Sequence, residues 1–126
     1  MITGIGTDIV LVSRIEAALG RQGERFARRI LTDVELERFR AHSQPARYLA
    51  KRYAAKEAIL KALGTGLAKG MSWQDMQIDN DANGAPQVLL SGVAAQWLEQ
   101  RGGGRMLLSL SDEREQALAF AIWSAQ

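Results

Sequence analysis

From Pro45 to Leu63 nothing in the chain interrupts a helix. Pro45 has the fixed φ that suits a first helical turn, no Gly or Pro occurs among the 18 residues that follow, and Gly64-Thr65-Gly66 supplies the stop. At 1.5 Å per residue such a rod is roughly 28 Å long, about the width of a small domain. In a chain of 126 residues this leaves room for one core built against that rod, so residues 1–126 are expected to form a single domain.

The segments on either side read differently. Ile2 to Val10 alternates as a strand, with Ile5, Ile9 and Leu11 on one face and Gly4, Gly6 and Asp8 on the other. The two side-chain-free positions leave room for something to approach the backbone closely. A helical stretch from Ser13 carries Ile15, Ala18 and Leu19 and meets Gly20 and Gly23, which break or bend it. A short helix follows over Arg25 to Ile30. Thr32-Asp33-Val34-Glu35 is a capping box that starts a third helix at Asp33, with Leu36 and Phe39 turned inward. Beyond the long helix, Met76 to Asp79 and Gln87 to Leu90 form a hairpin around the turn Asp81-Ala82-Asn83-Gly84. Ser91 is placed to cap a helix over Val93 to Gln100, and Gly102-Gly103-Gly104 reads as a flexible tip. Met106 to Ser111 and Ala117 to Trp123 make a second hairpin around residues 112–115. Helices followed by hairpins predict an α+β fold, a long central helix packed on a largely antiparallel sheet.

The last strand is apolar on both faces, with Leu118, Phe120 and Ile122 on one and Ala117, Ala119 and Ala121 on the other. Two readings stand: a central strand covered by its own helices, or a small-residue face packed against another copy of the chain.

Composition removes several classes of function. The chain has no cysteine, which excludes disulfides, thiolate metal sites and cysteine nucleophiles. No apolar run approaches the roughly 20 residues of a membrane span. Ile2 to Leu11 has neither the basic start nor the cleavage site of a signal peptide, so a cytoplasmic location is expected. The net charge of +2 hides a polarity: residues 1–70 hold 13 of the 16 basic residues but 7 of the 14 acids, an excess of +6, leaving −4 for the remainder. An anionic partner on one surface is expected, whether nucleic acid, acidic protein or phosphorylated ligand.

Two carboxylates stand in unusual surroundings: Asp8 in the apolar opening strand and Glu57 in the long helix. A charge among hydrocarbon is costly without a cation, a metal or hydrogen bonds. Glu57 and Lys61 are four apart, hence adjacent on one face. That pair reads either as a surface salt bridge or as part of a phosphate site. In the second case the backbone at Gly64 would donate to phosphate, Lys51, Arg52 and Lys56 would add charge, and Asp8 with Glu57 would hold Mg²⁺. Arg14, Arg21, Arg25 and Arg28 recur at offsets that fall within one helical stripe, with Phe26 among them. They form either a solvated face or a docking surface for an acidic partner. His42, the only histidine, reads as a solvated connector residue.

Together these segments resemble the holo-(acyl-carrier-protein) synthases, the small bacterial type of 4′-phosphopantetheinyl transferase. The similarity rests on Gly4-Ile5-Gly6-Thr7-Asp8-Ile9-Val10 and on the whole stretch from Arg47 to Gly66, and it extends to Asn83-Gly84-Ala85-Pro86 and Ser109-Leu110-Ser111-Asp112-Glu113. The resemblance implies transfer of phosphopantetheine from coenzyme A to a serine of acyl carrier protein, releasing adenosine 3′,5′-bisphosphate, within fatty acid biosynthesis. It implies Mg²⁺ on Asp8 and Glu57, Glu57 as acceptor of the serine proton either directly or through a metal-bound water, and Lys61 beside the phosphates. Arg52, Lys61, Gly64, Asn83, Gly84 and Pro86 are the implied coenzyme A contacts. Arg14, Arg21, Arg25, Phe26 and Arg28 are the implied contacts of the acidic carrier protein. A homotrimer with active sites between subunits is implied too, with neither nucleic acid nor membrane as partner. Two positions depart from the family pattern: Leu107, where His is common, and Ala85, where Lys commonly precedes the Pro. The alternative is a non-catalytic basic module that binds RNA or an acidic protein. An enzyme acting on another coenzyme A or nucleotide substrate with the same metal site also remains open.

Overall fold

The computed structural model describes residues 1–126. Strand β1 (Ile2–Leu11) leads directly into helix α1 (Val12–Gln22), followed by α2 (Glu24–Ile30), α3 (Asp33–Ala41) and the long α4 (Pro45–Leu63). A single 3₁₀ turn at Trp73–Asp75 precedes β2 (Met76–Asn80) and β3 (Pro86–Leu90). Helix α5 (Gly92–Gln100) and strands β4 (Arg105–Asp112) and β5 (Gln116–Ser124) complete the chain. All strand pairing is antiparallel, but in two sheets rather than one: β1-β5-β4, and the separate hairpin β2-β3. No helix is long and apolar enough to cross a membrane.

Helix α4 lies across one face of the three-stranded sheet, and small residues on both sides set how closely. Ala54, Ala55, Ala58 and Ala62 of the helix are buried, as are Ala117, Ala119 and Ala121 of β5. The alanine face of the last strand therefore packs on its own helix, which decides between the two readings in favour of a strand covered by its own chain. The opposite face is the open one. Ile5 (61 % exposed), Ile9 (57 %), Leu118 (43 %) and Phe120 (37 %) stand there side by side, because Ile9 is in register with Leu118 and Ile5 with Ile122.

The room left by Gly4 and Gly6 is filled by α4 itself, not by a ligand. A methyl at Gly4 would collide with the carbonyl oxygen of Ala62, and one at Gly6 with that of Ala58. Strand backbone and helix backbone touch, a contact that only glycine permits.

Behind α4 a buried ion pair joins five segments. Lys56 and Glu35 are fully buried, with Nζ 2.7 Å from Oε1. Lys56 also donates to the carbonyls of Ile30 (2.7 Å) and Trp73 (3.2 Å), while Glu35 accepts from the N–H groups of Ile78 (2.8 Å) and Thr32 (3.0 Å). Burial lowers the lysine pKa and Glu35 partly restores it. Lys56 is thus a structural cation and corrects its assignment as a ligand for anions. Removing one partner would strand the other charge, whereas this arrangement leaves neither unmatched.

Other boundaries follow local chemistry. Helix α1 runs through Gly20 and ends at Gly23, whose φ of 64° a side chain rarely adopts. The Thr32–Glu35 capping box is present as read. Ser91 precedes α5 but does not cap it: its hydroxyl turns to the carbonyl of Asp75 (3.4 Å), while the Asp75 carboxylate accepts from Ala94 N–H (3.4 Å). Gly102-Gly103-Gly104 is a fixed turn, not a flexible tip. Gly103 N–H donates to Leu98 (2.9 Å) and its carbonyl accepts from the Trp123 indole (2.9 Å).

Candidate active site

The glycine contact decides where Asp8 goes. Asp8 lies two residues beyond Gly6 on the same face of β1, so the close approach of α4 brings it to the turn of that helix that carries Glu57 and Lys61. Lys61 Nζ donates to the Thr7 carbonyl (2.8 Å) and to Asp8 Oδ1 (3.2 Å). The aspartate side chain is 17 % exposed, so the pair is partly shielded from water. Glu57 is half-buried, and its pKa is raised above the usual carboxylate range, first by burial and then by the Asp8 charge, with Lys61 opposing. A half-buried carboxyl whose ionisation is opposed by a neighbouring carboxylate is a place where a cation would relieve the repulsion.

This donor set fits Mg²⁺. Two carboxylates supply hard oxygen ligands, and no third acid or imidazole joins them into an all-protein cage. Mg²⁺ characteristically takes one or two carboxylates and completes its shell with water and substrate phosphate.

The sign of the Glu57 shift makes a prediction. A carboxyl whose pKa is raised in the fold contributes stability that is complete below its unfolded value and is lost as pH rises through the folded value. Glu57→Gln is therefore expected to melt like the parent near pH 4 and higher than it at pH 8, by a small margin because solvent screens a half-exposed group. Thermal melts across that range in metal-free buffer check this. A variant that melted lower at pH 8 would show that the fold holds the charged carboxylate favourably.

The carboxylates open into a cleft of about 340 Å³ between β1, α4, α1 and α2, whose other lining residues include Arg14, Arg21, Phe26 and Tyr53. The arginine stripe is not one helical face, because Gly23 divides it between α1 and α2. Arg14, Arg21 and Phe26 reach the carboxylate cleft. Arg25 is exposed outside its lining, and Arg28 pairs with Glu24 at 3.4 Å.

A second cleft, of about 520 Å³, lies between α3, α4, β4 and the β2–β3 hairpin. Arg52, Gly84 and Pro86 line it, together with Arg38, Arg47, Tyr48 and Lys51, and no acidic side chain does. Arg52 and Lys61 are nine residues apart on one helix, about 180° around it, so a single protomer does not bring them to the same phosphate. Asn83 is exposed in the hairpin turn and is not part of the lining. His42 is exposed, as expected of a connector, yet stands on this cleft's rim with its ring 5.4 Å from that of Tyr48. Gly64 does not offer its N–H to a ligand: that group caps α4 by donating to Leu60 and Lys61 (3.0 and 3.1 Å). The helix ends there, with the negative end of its dipole, which disfavours an anion.

Two features escaped the sequence reading. Tyr53 stands one helical turn before Glu57, so the 53-57-61 spacing was the available signal. Burial, then Glu57 and Asp8, raise the pKa of its hydroxyl. The second cleft had no such signal, since helix, hairpin and final sheet contribute its parts separately.

Residues 4–121 match the model of the 4′-phosphopantetheinyl transferase superfamily. The holo-(acyl-carrier-protein) synthase of Vibrio cholerae is 54% identical to this chain over 97% of each. The crystal structure of the Neisseria meningitidis holo-(acyl-carrier-protein) synthase is similar with a TM-score of 0.93 and 45% identity, covering 98% of this chain and 99% of that one. The holo-(acyl-carrier-protein) synthase of Bacillus anthracis, solved in complex with CoA (3′,5′-ADP), is similar with a TM-score of 0.83 and 34% identity, covering 100% and 99%.

Proposed function

The chain belongs to the 4′-phosphopantetheinyl transferase superfamily, and on that basis we propose that it transfers 4′-phosphopantetheine from coenzyme A to a serine hydroxyl of acyl carrier protein. One observation carries the reading beyond family membership: Asp8 and Glu57 line one cleft with Arg14 and Arg21, and Lys61 donates to Asp8.

Asp8 and Glu57 would hold Mg²⁺, which when bound neutralises charge on the pyrophosphate of coenzyme A. Glu57, half-buried beside Asp8, is the carboxylate suited to take the serine proton. The serine oxygen forms a bond to the β-phosphorus, the bond from that phosphorus to the bridging oxygen breaks, and adenosine 3′,5′-bisphosphate leaves. Lys61, with its ammonium already directed at Asp8, steadies the charge that develops on the leaving oxygen and can supply its proton. Incubation with apo acyl carrier protein, coenzyme A and Mg²⁺ tests this. The carrier should gain the mass of one phosphopantetheine group, and no gain over hours defeats the reading.

The acidic carrier would dock along Arg14, Arg21, Arg25, Phe26 and Arg28. Arg14→Glu with Arg21→Glu is expected to raise KM for the carrier at least tenfold more than KM for coenzyme A, with the parent's advantage fading in salt. Equal changes in both constants would remove the stripe from the docking face.

The active assembly is a homotrimer with sites between subunits. Two observations support it: the open apolar face of β1, β5 and β4, and the placement of Arg52 on the side of α4 away from Lys61. A neighbour's Arg52 cleft can serve coenzyme A held at the carboxylates. Phe120→Asp, at the centre of that face, is expected to give folded monomers by light scattering and to abolish transfer. Retention of the parent's mass in solution would place the interface elsewhere.

A further inference from the structure

Helix α2 is short, and its last turn is held largely by residues from elsewhere in the chain. Its seven residues are too few for a stable isolated helix, and its start at Gly23 has no side-chain cap. Like any helix it leaves its last four carbonyls without donors of its own. These belong to Ala27, Arg28, Arg29 and Ile30, and each has a partner. Leu31 N–H serves Ala27 (2.9 Å), and the ammonium of Lys56 serves Ile30 (2.7 Å). One side chain takes the other two. The amide nitrogen of Gln74 donates to the carbonyls of Arg28 (2.8 Å) and Arg29 (2.7 Å) and stands 3.5 Å from that of Leu31. Its amide oxygen accepts from the Ser72 hydroxyl (2.8 Å), which fixes the orientation of the amide. Gln74 is exposed, so core packing does not account for its pose. Ordering a long side chain costs conformational entropy, and here its hydrogen bonds secure the backbone of another segment.

The 3₁₀ turn that carries Gln74 also grips α4. The Trp73 carbonyl accepts from Lys56 (3.2 Å), the residue before Glu57, and the Trp73 ring lies 5.4 Å from that of Tyr53, which lines the carboxylate cleft. Helix α2 in turn contributes Phe26 to that cleft and carries Arg25 and Arg28. One turn thus joins the helix of the docking arginines to the helix of Glu57. The other tie on α2 is at its opposite end, where exposed Glu24 pairs with Arg40 of α3 (2.5 Å). We propose that Gln74 is a positioning residue for the carrier-protein substrate: it holds the last turn of α2, and through it Phe26 and the arginines, in the pose that receives the carrier. It acts through α2 and not by contact with a substrate. The assignment rests on the docking surface and the transfer reaction proposed above.

Gln74→Ala removes the donor from an exposed side chain, and the fold should survive it. Hydrogen exchange at the amides of Arg28 to Leu31 is expected to quicken about tenfold, with α4 unchanged. KM for the carrier should rise about fivefold, the loss of hydrogen bonds at a helix end. Turnover at saturating carrier and KM for coenzyme A should keep the parent's values. Gln74→Lys retains a donor of similar reach and should return both exchange and KM toward the parent, in salt enough to screen its added charge from the carrier. Unchanged exchange, a carrier KM at the parent's value, equal rises in both KM values, or no rescue by lysine would each overturn the proposal. Calorimetry with the apo carrier separates this outcome from failure of the transfer reading. Were the parent to bind the carrier without modifying it, Gln74→Ala should still weaken that binding about fivefold, and unchanged binding would reject Gln74 whatever the reaction. A parent that binds no carrier would remove the docking surface and this proposal with it.

Discussion

Asp8→Asn is expected to lower kcat by about three orders of magnitude, the size of losing one preorganised electrostatic group, while the protein stays folded. Asparagine keeps the shape and the oxygen, so β1 and its glycine contacts are undisturbed. What disappears is one of the two negative charges that make the site attractive to a divalent cation. Lys61 keeps its bond to the Thr7 carbonyl, so its position survives the change. The ion pair that is lost is partly exposed and contributes little to stability, on the order of 1 kcal/mol or less. The separation between activity and stability is the diagnostic. Steady-state kinetics over a Mg²⁺ titration, with thermal melts alongside, should show the loss of turnover and a higher Mg²⁺ requirement without a matching fall in Tm. Parental turnover in the variant would take Asp8 out of the site.

The largest stability effect is expected from the smallest substitution. Gly6→Ala adds one methyl group where the carbonyl oxygen of Ala58 stands, with Ala62 N and Lys61 Cβ each 2.8 Å from the same point. These are mostly backbone atoms within a helix, so no side-chain rotation relieves the collision. Helix and strand must separate, and overpacking of this kind costs about 3 kcal/mol or more. For a domain of this size that is a fall in Tm of roughly 10 °C or more. The same separation carries Lys61 away from Asp8, so activity should fall even where the variant remains folded. Ala at Gly20, which has nothing within 4 Å, is the control and should be neutral or slightly stabilising. A Gly6→Ala variant as stable as that control would mean that α4 does not rest on β1 as described.

The two substitutions show which parts of the protein are legible in one dimension. The strand and helix patterns around Asp8 and Glu57, the capping box at Thr32, the stop at Gly64 and the hairpin turn near Asn83 are all local. Each follows from the periodicity or turn chemistry of a few neighbouring residues, and each is found where it was read. The same locality explains the errors. Lys56, in a run of charged residues, looked like a ligand for anions, and only its partner 21 residues away makes it structural. The glycines at 102–104 looked flexible because their restraint comes from Trp123, on another strand. The alanine face of β5 left two readings open because nothing in sequence says which side α4 covers.

By itself the sequence determined the elements, the chemical types at the site and the family they resemble, because helical and strand periods and capping act over a few residues. Only the tertiary structure decided that Gly6 seats α4 close enough to bring Asp8 to Lys61, and that the bulky face of the sheet is the open one. Those outcomes depend on steric contact between segments some 50 residues apart, which no local pattern encodes.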